Sequence, residues 1–200
     1  MEYPNVEYLF CHIPKTGGSS FSRLLKRKFM ERSCYYNRKF NRLSEKTKCV
    51  FGHFRMSEMR PRFPNAKIIT IIRNPVTQVI SNYNHFLRLK RTIYPAGIGR
   101  LPLETTFDEF CVRMANYQSR FVDIPLEEVW YICDYEHLQR ALQQLSLKGL
   151  TLEQNLPQLA RYSHTYRPTA EETAKIISLN PYDFVLHQTA FQISEHCENE

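Results

Sequence analysis

The chain of 200 residues is long enough for one domain with a buried core, and we predict a single domain over residues 1–200. Its net charge of +7 is uneven, because residues 1–100 hold 20 Lys and Arg against 5 Asp and Glu, whereas residues 101–200 hold 7 against 15. The basic half favours an anionic partner, but aromatic residues do not interleave with the basic ones, so nucleic acid is not indicated.

The sequence shows no sign of membrane insertion or export. The longest apolar run near residue 70 is Ile68–Ile72, interrupted by Thr70, and it is far shorter than a membrane span. No basic segment followed by an apolar one marks a secretory signal, so we expect a cytoplasmic protein without a membrane span. The six cysteines form no Cys-x-x-Cys pair that would indicate a zinc site. Cys11, Cys49 and Cys133 are expected to be buried and reduced.

Short apolar segments alternate with amphipathic ones along the chain. Segments rich in β-branched and aromatic residues are predicted to be strands. In chain order they are Glu7–His12, Lys48–Gly52, Ala66–Ile72 and Val129–Asp134. The predicted helices are Gly18–Phe29, Val76–Arg91, Phe107–Phe121, Glu136–Leu145, Ala170–Leu179 and Tyr182–His196. Apolar strands that alternate with helices predict an α/β fold with three layers, α/β/α, around a mostly parallel sheet.

Local signals mark the helix starts and one long loop. Asn74-Pro75 is a start signal, with proline near the first helical position. Asp108 and Thr169 are expected to cap the helices predicted over residues 107–121 and 170–179. The segment 92–105, with two prolines and two glycines, is the longest predicted loop. It suits an acceptor-side lid and a plain connector equally well.

The first motif, HIPKTGGSS, covers His12–Ser20 and joins the first predicted strand to the first predicted helix. A strand, a glycine-containing turn and a helix bring backbone N–H groups and a helix N-terminus together, and this arrangement attracts a phosphate-like anion. A Walker A loop ends in Gly-Lys followed by Ser or Thr, whereas here Lys15 precedes Gly17 and Gly18. An ordinary ATP or GTP loop is therefore not indicated.

The second motif, IITIIRNPVTQVISNY, covers Ile68–Tyr83. Arg73 follows a predicted strand, so it emerges at the carboxyl end of the sheet, where α/β proteins bind their ligands. The planar fork of arginine suits a phosphate group. Residues 66–103 contain no Asp or Glu, so Arg73 has no carboxylate partner nearby in sequence.

Together, in this order, the two motifs resemble the signatures of sulfotransferases that use 3′-phosphoadenosine 5′-phosphosulfate (PAPS) as donor. The first motif is similar to that of the heparan and uronyl 2-O-sulfotransferases and their bacterial relatives. The resemblance implies a P-loop NTPase-like fold and adenosine 3′,5′-bisphosphate as product. It implies that Lys15 bridges the leaving phosphate and the sulfonate, and that Arg73 and Ser81 hold the 3′-phosphate. The residues implied around the 5′-phosphate are Thr16, Gly17, Gly18, Ser19 and Ser20.

His53 matches the position of the general base in the resembled family. An imidazole with an ordinary pKa near 6.5 accepts a proton at neutral pH. The 2-O-sulfotransferases show His-Gly-His here, but this chain has Phe51 in place of the first histidine. This difference counts against a uronate acceptor. His85 and Glu104 are the next candidates for the base.

His12 is expected to be a core histidine. The stretch Asn116–Arg120 is similar to an Asn-x-Gln-Ser-Arg motif of the group and is expected to contact donor or acceptor.

The sequence thus predicts transfer of sulfonate from PAPS to a hydroxyl group, with a carbohydrate, including an anionic one, as the expected acceptor. No metal is expected, since the sequence has no Asp-rich Mg²⁺ motif. Two alternatives stay open. One is a nucleotide-dependent kinase, which would need a Walker-type loop and a metal-binding acid after a strand. The other is a protein that keeps the donor pocket without transfer. A trimmed Golgi protein is the alternative to a cytoplasmic one, since Golgi members of the group carry an N-terminal anchor.

Overall fold

Five parallel strands form the central sheet of the computed structural model, which describes residues 5–36, 43–89, 101–102, 104–156 and 166–195. The strands are β1 (Tyr8–Cys11), β2 (Ser33–Tyr36), β3 (Cys49–Gly52), β4 (Lys67–Ile72) and β5 (Tyr131–Asp134). Their order across the sheet is β2-β3-β1-β4-β5, and each neighbouring pair is parallel. The carboxyl ends of β3, β1 and β4 therefore lie side by side at the centre of one edge.

Helices cover both faces of the sheet. They are α1 (Gly18–Phe29), α2 (Met56–Met59), α3 (Pro75–Leu89), α4 (Phe107–Arg113), α5 (Leu138–Leu147), α6 (Ala170–Leu179) and α7 (Pro181–Glu195). Side chains alternate along each strand, so β1 sends Tyr8 and Phe10 to the layer of α1 and α5, and Leu9 and Cys11 to the opposite layer. Helices α2, α3, α4, α6 and α7 pack in that second layer. The predicted three-layer α/β fold is confirmed.

Two predictions about α4 were wrong. This helix ends at Arg113 and not at residue 121, because the chain from Met114 onwards turns, with Asn116 in the left-handed region at φ 47°. Its N-cap is Thr106, whose side chain accepts from the Glu109 N–H in a capping box, so the predicted cap Asp108 is two positions too far along. Thr169 caps α6 as predicted, again with a capping box.

Other differences concern the edges of the predicted elements. Strand β2 was not predicted, and α5 begins at Leu138 after a 3₁₀ turn over residues 135–137.

Asn74 is the start signal of α3 as predicted, since its side-chain oxygen accepts from the Val76 N–H at 3.0 Å. Cys11, Cys49 and Cys133 are buried as predicted. Most of the predicted loop 92–105 lies outside the described residues.

Within the described ranges, no helix has both the length and the apolar character needed to cross a membrane.

Candidate active site

The loop between β1 and α1 is the centre of the candidate site. It leaves the sheet at the carboxyl end of β1, next to the end of β3 on one side and of β4 on the other. Lys15 at φ 67° and Gly17 at φ 82° both lie in the left-handed region, a conformation that Gly17 adopts without strain and Lys15 adopts at some cost. Alternation of this kind turns backbone N–H groups towards one side and forms an anion-binding concavity.

Side chains donate a hydrogen bond to every carbonyl on the strand side of this loop. All four carbonyls from His12 to Lys15 receive a side-chain hydrogen bond. In chain order the donors are His53 Nδ1, Thr16 Oγ1 at 2.9 Å, Gln78 Nε2 at 3.1 Å and Arg73 Nη1 at 3.1 Å. The negative ends of four consecutive peptide groups are thus engaged within the protein. This favours an anion over a cation at the loop.

The N-terminus of α1 meets the loop at Gly18. No side chain caps this helix, and its first turn contains no acidic residue. The N–H groups of the first turn and the helix dipole therefore present positive charge at this point. Ser19 is exposed beside it, and Ser20 is half-buried. A phosphate group is the type of ligand that such a helix end binds.

The two glycines of the loop are also required by packing. A Cβ atom on Gly18 would lie 2.0 Å from His12 Cδ2, and one on Gly17 would lie 2.8 Å from Tyr135 and Leu138 side-chain atoms. His12 fills the space against Gly18 and is itself buried, with its ring centroid 4.4 Å from that of His53. Burial, and then the neighbouring His53, lowers the pKa of His12 to about 3. His12 is a neutral core residue, as predicted.

Lys15 and Arg73 bring cationic groups to the loop. Arg73 donates from Nε to Thr77 Oγ1 at 3.0 Å, and its guanidinium lies over the Tyr135 ring at 4.4 Å from the centroid. Burial, and then the charges of Arg88 and Arg73, lowers the pKa of the Lys15 ammonium. Among the described residues, neither Lys15 nor Arg73 forms an ion pair with a carboxylate within 4.0 Å. An anion bound here would relieve the repulsion between these cations.

Ser81 lies on α3, two turns beyond Arg73, and is buried. It is on the helix that also carries Gln78, which bonds the loop at Pro14. The helix thus faces the loop, and Ser81 is placed on the element that the sequence assigned to the 3′-phosphate. That role stays a prediction.

His53 has the tautomer that a general base needs. Its Nδ1 bonds the backbone oxygen of His12, and a carbonyl only accepts, so Nδ1 carries the proton and the Nε2 lone pair is left for an incoming hydroxyl group. Burial lowers the pKa of His53, with the bond to His12 acting in the opposite direction. The imidazole is therefore neutral at pH 7.

His85 has the opposite tautomer. Arg88 Nη2 lies 2.8 Å from His85 Nδ1, and because a guanidinium only donates, Nδ1 is the acceptor and Nε2 carries the proton. Burial, then Lys15, then Arg88 lowers the pKa of His85 to about 4. His85 is neutral and its basic nitrogen is already occupied. Glu104 is an exposed residue. Of the three candidates for the base, His53 has the suitable geometry.

Sequence reasoning missed the residues that hold the site together. Gln118 was expected to contact a ligand, but it is fully buried and binds the backbone of Arg73. Gln78 braces the loop, and Tyr135 packs against Gly17 and Arg73. Tyr135 directly follows β5, just as Arg73 directly follows β4. Both residues therefore lie at the carboxyl edge of the sheet, and Tyr135 could have been predicted on the same ground as Arg73.

Comparison with known proteins identifies the family. The model described as Sulfotransferase family matches residues 11–146, more than half of the chain. The chain therefore belongs to the sulfotransferase family, and this prediction is confirmed. The fold superposes on the crystal structure of a sulfotransferase from Alicyclobacillus acidocaldarius with a TM-score of 0.57 and 13% identity, covering 96% of this chain and 97% of that one.

A second structure is more distant. Mouse sulfotransferase SULT7A1 complexed with PAP gives a TM-score of 0.49 and 14% identity, covering 88% of this chain and 65% of that one. A search of curated protein sequences found no match. Within the described ranges, no group of three His, Cys, Asp or Glu side chains is arranged to hold a metal ion.

Proposed function

We propose that the chain transfers a sulfonate group from PAPS to a hydroxyl group, with His53 as general base. The observation that carries the proposal is the meeting of three groups at the carboxyl edge of the sheet. These are the loop at Lys15 with the uncapped start of α1, the guanidinium of Arg73, and the imidazole of His53 with its proton on Nδ1. Arg73 and His53 both bond to the loop that contains Lys15, and this supports donor binding and proton removal in one site.

The donor fits the two ends of this arrangement. The loop and the α1 N-terminus would bind the 5′-phosphosulfate, with Lys15 at its bridging oxygen. Arg73 and Ser81 would bind the 3′-phosphate, which ADP and AMP lack. Thr16 belongs to the fold of the loop, since its hydroxyl donates to Ile13. Its backbone, with those of Gly17, Gly18, Ser19 and Ser20, supplies the N–H groups around the 5′-phosphate.

The chemistry is an in-line displacement at sulfur. The acceptor oxygen forms a bond to sulfur while the bond between sulfur and the bridging oxygen breaks, and adenosine 3′,5′-bisphosphate leaves. The acceptor proton moves to His53 Nε2. Lys15 stabilises the charge that grows on the bridging oxygen. Lys15, Arg73 and the α1 N-terminus supply positive charge at both phosphate groups, so we propose that the reaction needs no metal.

The acceptor is proposed to be a carbohydrate hydroxyl. Arg88 lies near Lys15 at the end of α3, and a cation beside the reacting group suits an anionic sugar. Phe51, in place of the histidine found in the 2-O-sulfotransferases, packs in the core on the α1 side of the sheet. It therefore contributes no second imidazole to the acceptor side.

Calorimetry with three nucleotides tests the donor. We expect adenosine 3′,5′-bisphosphate to bind far more tightly than ADP or AMP. Arg73→Ala should remove most of this preference, because losing a charged hydrogen bond costs about 1.5–3 kcal/mol, or roughly ten- to a hundredfold in Kd. Arg27→Ala is the matched control, since Arg27 lies in the last turn of α1 and pairs with Glu153 at 2.7 Å. It should leave the preference unchanged.

A transfer assay separates the enzyme from a protein that only binds the donor. Radiolabelled PAPS is offered with acceptors of several classes, among them neutral and anionic carbohydrates. Label on a carbohydrate supports the proposal. Equal affinity for the three nucleotides contradicts the donor assignment, and tight binding of adenosine 3′,5′-bisphosphate without transfer to any acceptor would indicate a binding protein.

A further inference from the structure

We infer that Gln118 is a positioning residue, which fixes the backbone of Arg73 and thereby sets the preference for a nucleotide with a 3′-phosphate. The inference rests on the proposed function. Gln118 lies in the turn after α4, far from Arg73 in sequence, and is 0% exposed. Among the described residues, its side-chain amide bonds the backbone of Arg73 and not the loop that would hold the 5′-phosphate, so its influence would reach the site through Arg73.

The side-chain amide of Gln118 bonds the Arg73 backbone just beyond the point where the pairing of β4 with β5 ends. Strand β4 ends at Ile72, whose partner in β5 is Asp134, so Arg73 lies one residue beyond the paired ladder. There Gln118 Oε1 accepts from the Arg73 N–H at 2.9 Å, and Gln118 Nε2 donates to the Arg73 carbonyl at 2.7 Å. A side-chain amide has one acceptor and donors in the geometry of a peptide group. A single side chain therefore holds both the N–H and the carbonyl of Arg73.

Gln118 is in turn held by a buried carboxylate. Asp183, in the first turn of α7, is 1% exposed. It accepts from the Gln118 N–H at 2.9 Å, from the Ser119 N–H at 2.7 Å and from Ser119 Oγ at 2.6 Å. Burial is the largest effect and raises the pKa of Asp183, while the hydrogen bonds from Ser119 and Gln118 favour its charged form and act in the opposite direction. The turn around Gln118 is thus fastened to α7.

The position of the Arg73 backbone determines where its guanidinium points. The side chain is extended between Thr77, the Lys15 carbonyl and the Tyr135 ring. These contacts fix its far end, and Gln118 fixes its near end. A displacement of about 1 Å at such a group is enough to weaken phosphate binding strongly. Arg73 is assigned to the 3′-phosphate and reaches the 5′-phosphate loop by a single bond to the Lys15 carbonyl, which is one of four side-chain bonds to that loop. Loosening Gln118 should therefore weaken the 3′-phosphate contact far more than 5′-phosphate binding.

The test compares two buried glutamines. Gln118→Met removes both bonds to Arg73 and keeps the size of the side chain. Gln144→Met is the matched control, because Gln144 is 4% exposed, accepts from the Tyr131 hydroxyl and donates to the Ser194 carbonyl at 3.2 Å, all away from the loop. Calorimetry gives the Kd for adenosine 3′,5′-bisphosphate and for AMP, which differ by the 3′-phosphate, and melting temperatures measure stability.

The ratio compared is the Kd for AMP divided by the Kd for adenosine 3′,5′-bisphosphate. We expect Gln118→Met to reduce this ratio by about tenfold, as for the loss of one charged hydrogen bond, while AMP affinity stays within about twofold. Gln144→Met should lower the melting temperature and leave the ratio unchanged. A folded Gln118→Met protein with the wild-type ratio overturns the inference, as does an equal loss of affinity for both nucleotides. In the Arg73→Ala background, Gln118→Met should have no further effect on the ratio.

Ser119→Ala decides the question if Gln118→Met does not fold. It removes only the hydroxyl bond to Asp183 and keeps the backbone bonds. We expect a reduction of the ratio by about two- to fivefold, and an unchanged ratio overturns the inference. Failure of the proposed function is seen separately, because wild-type protein would then bind AMP and adenosine 3′,5′-bisphosphate equally well.

Discussion

At the scale of single residues, the hydrogen-bond partners of the histidines separate their roles. His53 bonds a carbonyl through Nδ1 and His85 bonds a guanidinium through the same atom, so their protons lie on opposite ring nitrogens. The difference cannot be seen in the sequence, where both are simply histidines near a predicted site. The two tautomers are set by different hydrogen-bond partners. The partner of His53 is 41 residues away in sequence, whereas that of His85 is one helical turn away.

His53→Ala should leave nucleotide affinity nearly unchanged and lower turnover by about 10²–10⁴-fold, because the base acts on the acceptor and not on the donor. His85→Ala should lower turnover much less, since His85 Nδ1 already accepts from Arg88. Nucleotide binding and transfer measured on both variants check this. A folded His53→Ala protein with near wild-type turnover would exclude His53 as the base.

The pH profile gives a second measure of the same residue. Burial lowers the pKa of His53 below its ordinary 6.5, and the neutral form is the base. Turnover should therefore be constant around pH 7 and fall only as the pH drops through a value below 6.5. In His53→Ala this acidic fall in the residual rate should disappear. A wild-type inflection above 6.5 would contradict the assignment.

At the scale of elements, the junction of the loop and α1 depends on a small residue at Gly18. A Cβ at this position would meet the His12 ring at 2.0 Å, and His12 in turn packs on His53 and bonds it through its carbonyl. The start of α1 and the position of the base are thus connected by a single side chain. Alanine is favoured over glycine in helices, so any loss on substitution would come from this contact.

Gly18→Ala is expected to lower the free energy of unfolding by about 1–3 kcal/mol, the range for overpacking, and to lower turnover as His53 is displaced. Gly149→Ala is the control, because Gly149 has φ +90° but no atom within 4 Å of an added Cβ. It should cost about 1–2 kcal/mol through backbone strain and leave turnover unchanged. Urea unfolding and transfer assays measure both effects. Wild-type turnover in Gly18→Ala would contradict the proposed link to His53.

The sequence predicted the elements whose signals are local. Strands β1, β3, β4 and β5 are apolar runs, and α1 and α6 were predicted with their observed bounds. Strand β2 was missed because it is a short edge strand with polar and exposed positions. The end of α4 was missed because the turn at Asn116 depends on a distant partner, Asn180, whose side chain accepts from the Asn116 N–H at 2.8 Å.

The same limit applies to the candidate site. Lys15, Arg73 and His53 were predicted from short motifs; Lys15 lies in the β1–α1 loop, and Arg73 and His53 both bond to it. The residues that position them, Gln78 and Gln118, were not assigned that role, because a glutamine in a helix or turn carries no sign of which distant backbone group it will bind. Only the tertiary structure shows these pairs.

At the scale of the whole molecule, the two halves of the chain contribute different parts of one site. The cations come from the basic half, with Lys15, Arg73 and Arg88 around the loop. Gln118, which bonds the Arg73 backbone, and the buried carboxylate of Asp183, which holds Gln118, come from the acidic half. The charge asymmetry of the sequence thus matches a division between the residues proposed to bind the donor and a residue that supports them. A site assembled in this way requires both halves to fold together.

This architecture predicts that the chain unfolds as one cooperative unit and that nucleotide stabilises all of it. Trp130 is the single tryptophan, and it precedes β5, where it packs on Tyr8 and Lys67 at the sheet edge opposite the loop. Its fluorescence and far-UV circular dichroism should give the same melting temperature. Adenosine 3′,5′-bisphosphate at 100 times its Kd should add about 2.7 kcal/mol and raise both transitions together by about 5–10 °C. Two separate transitions, or a shift that leaves the Trp130 signal unmoved, would contradict the single domain over residues 1–200.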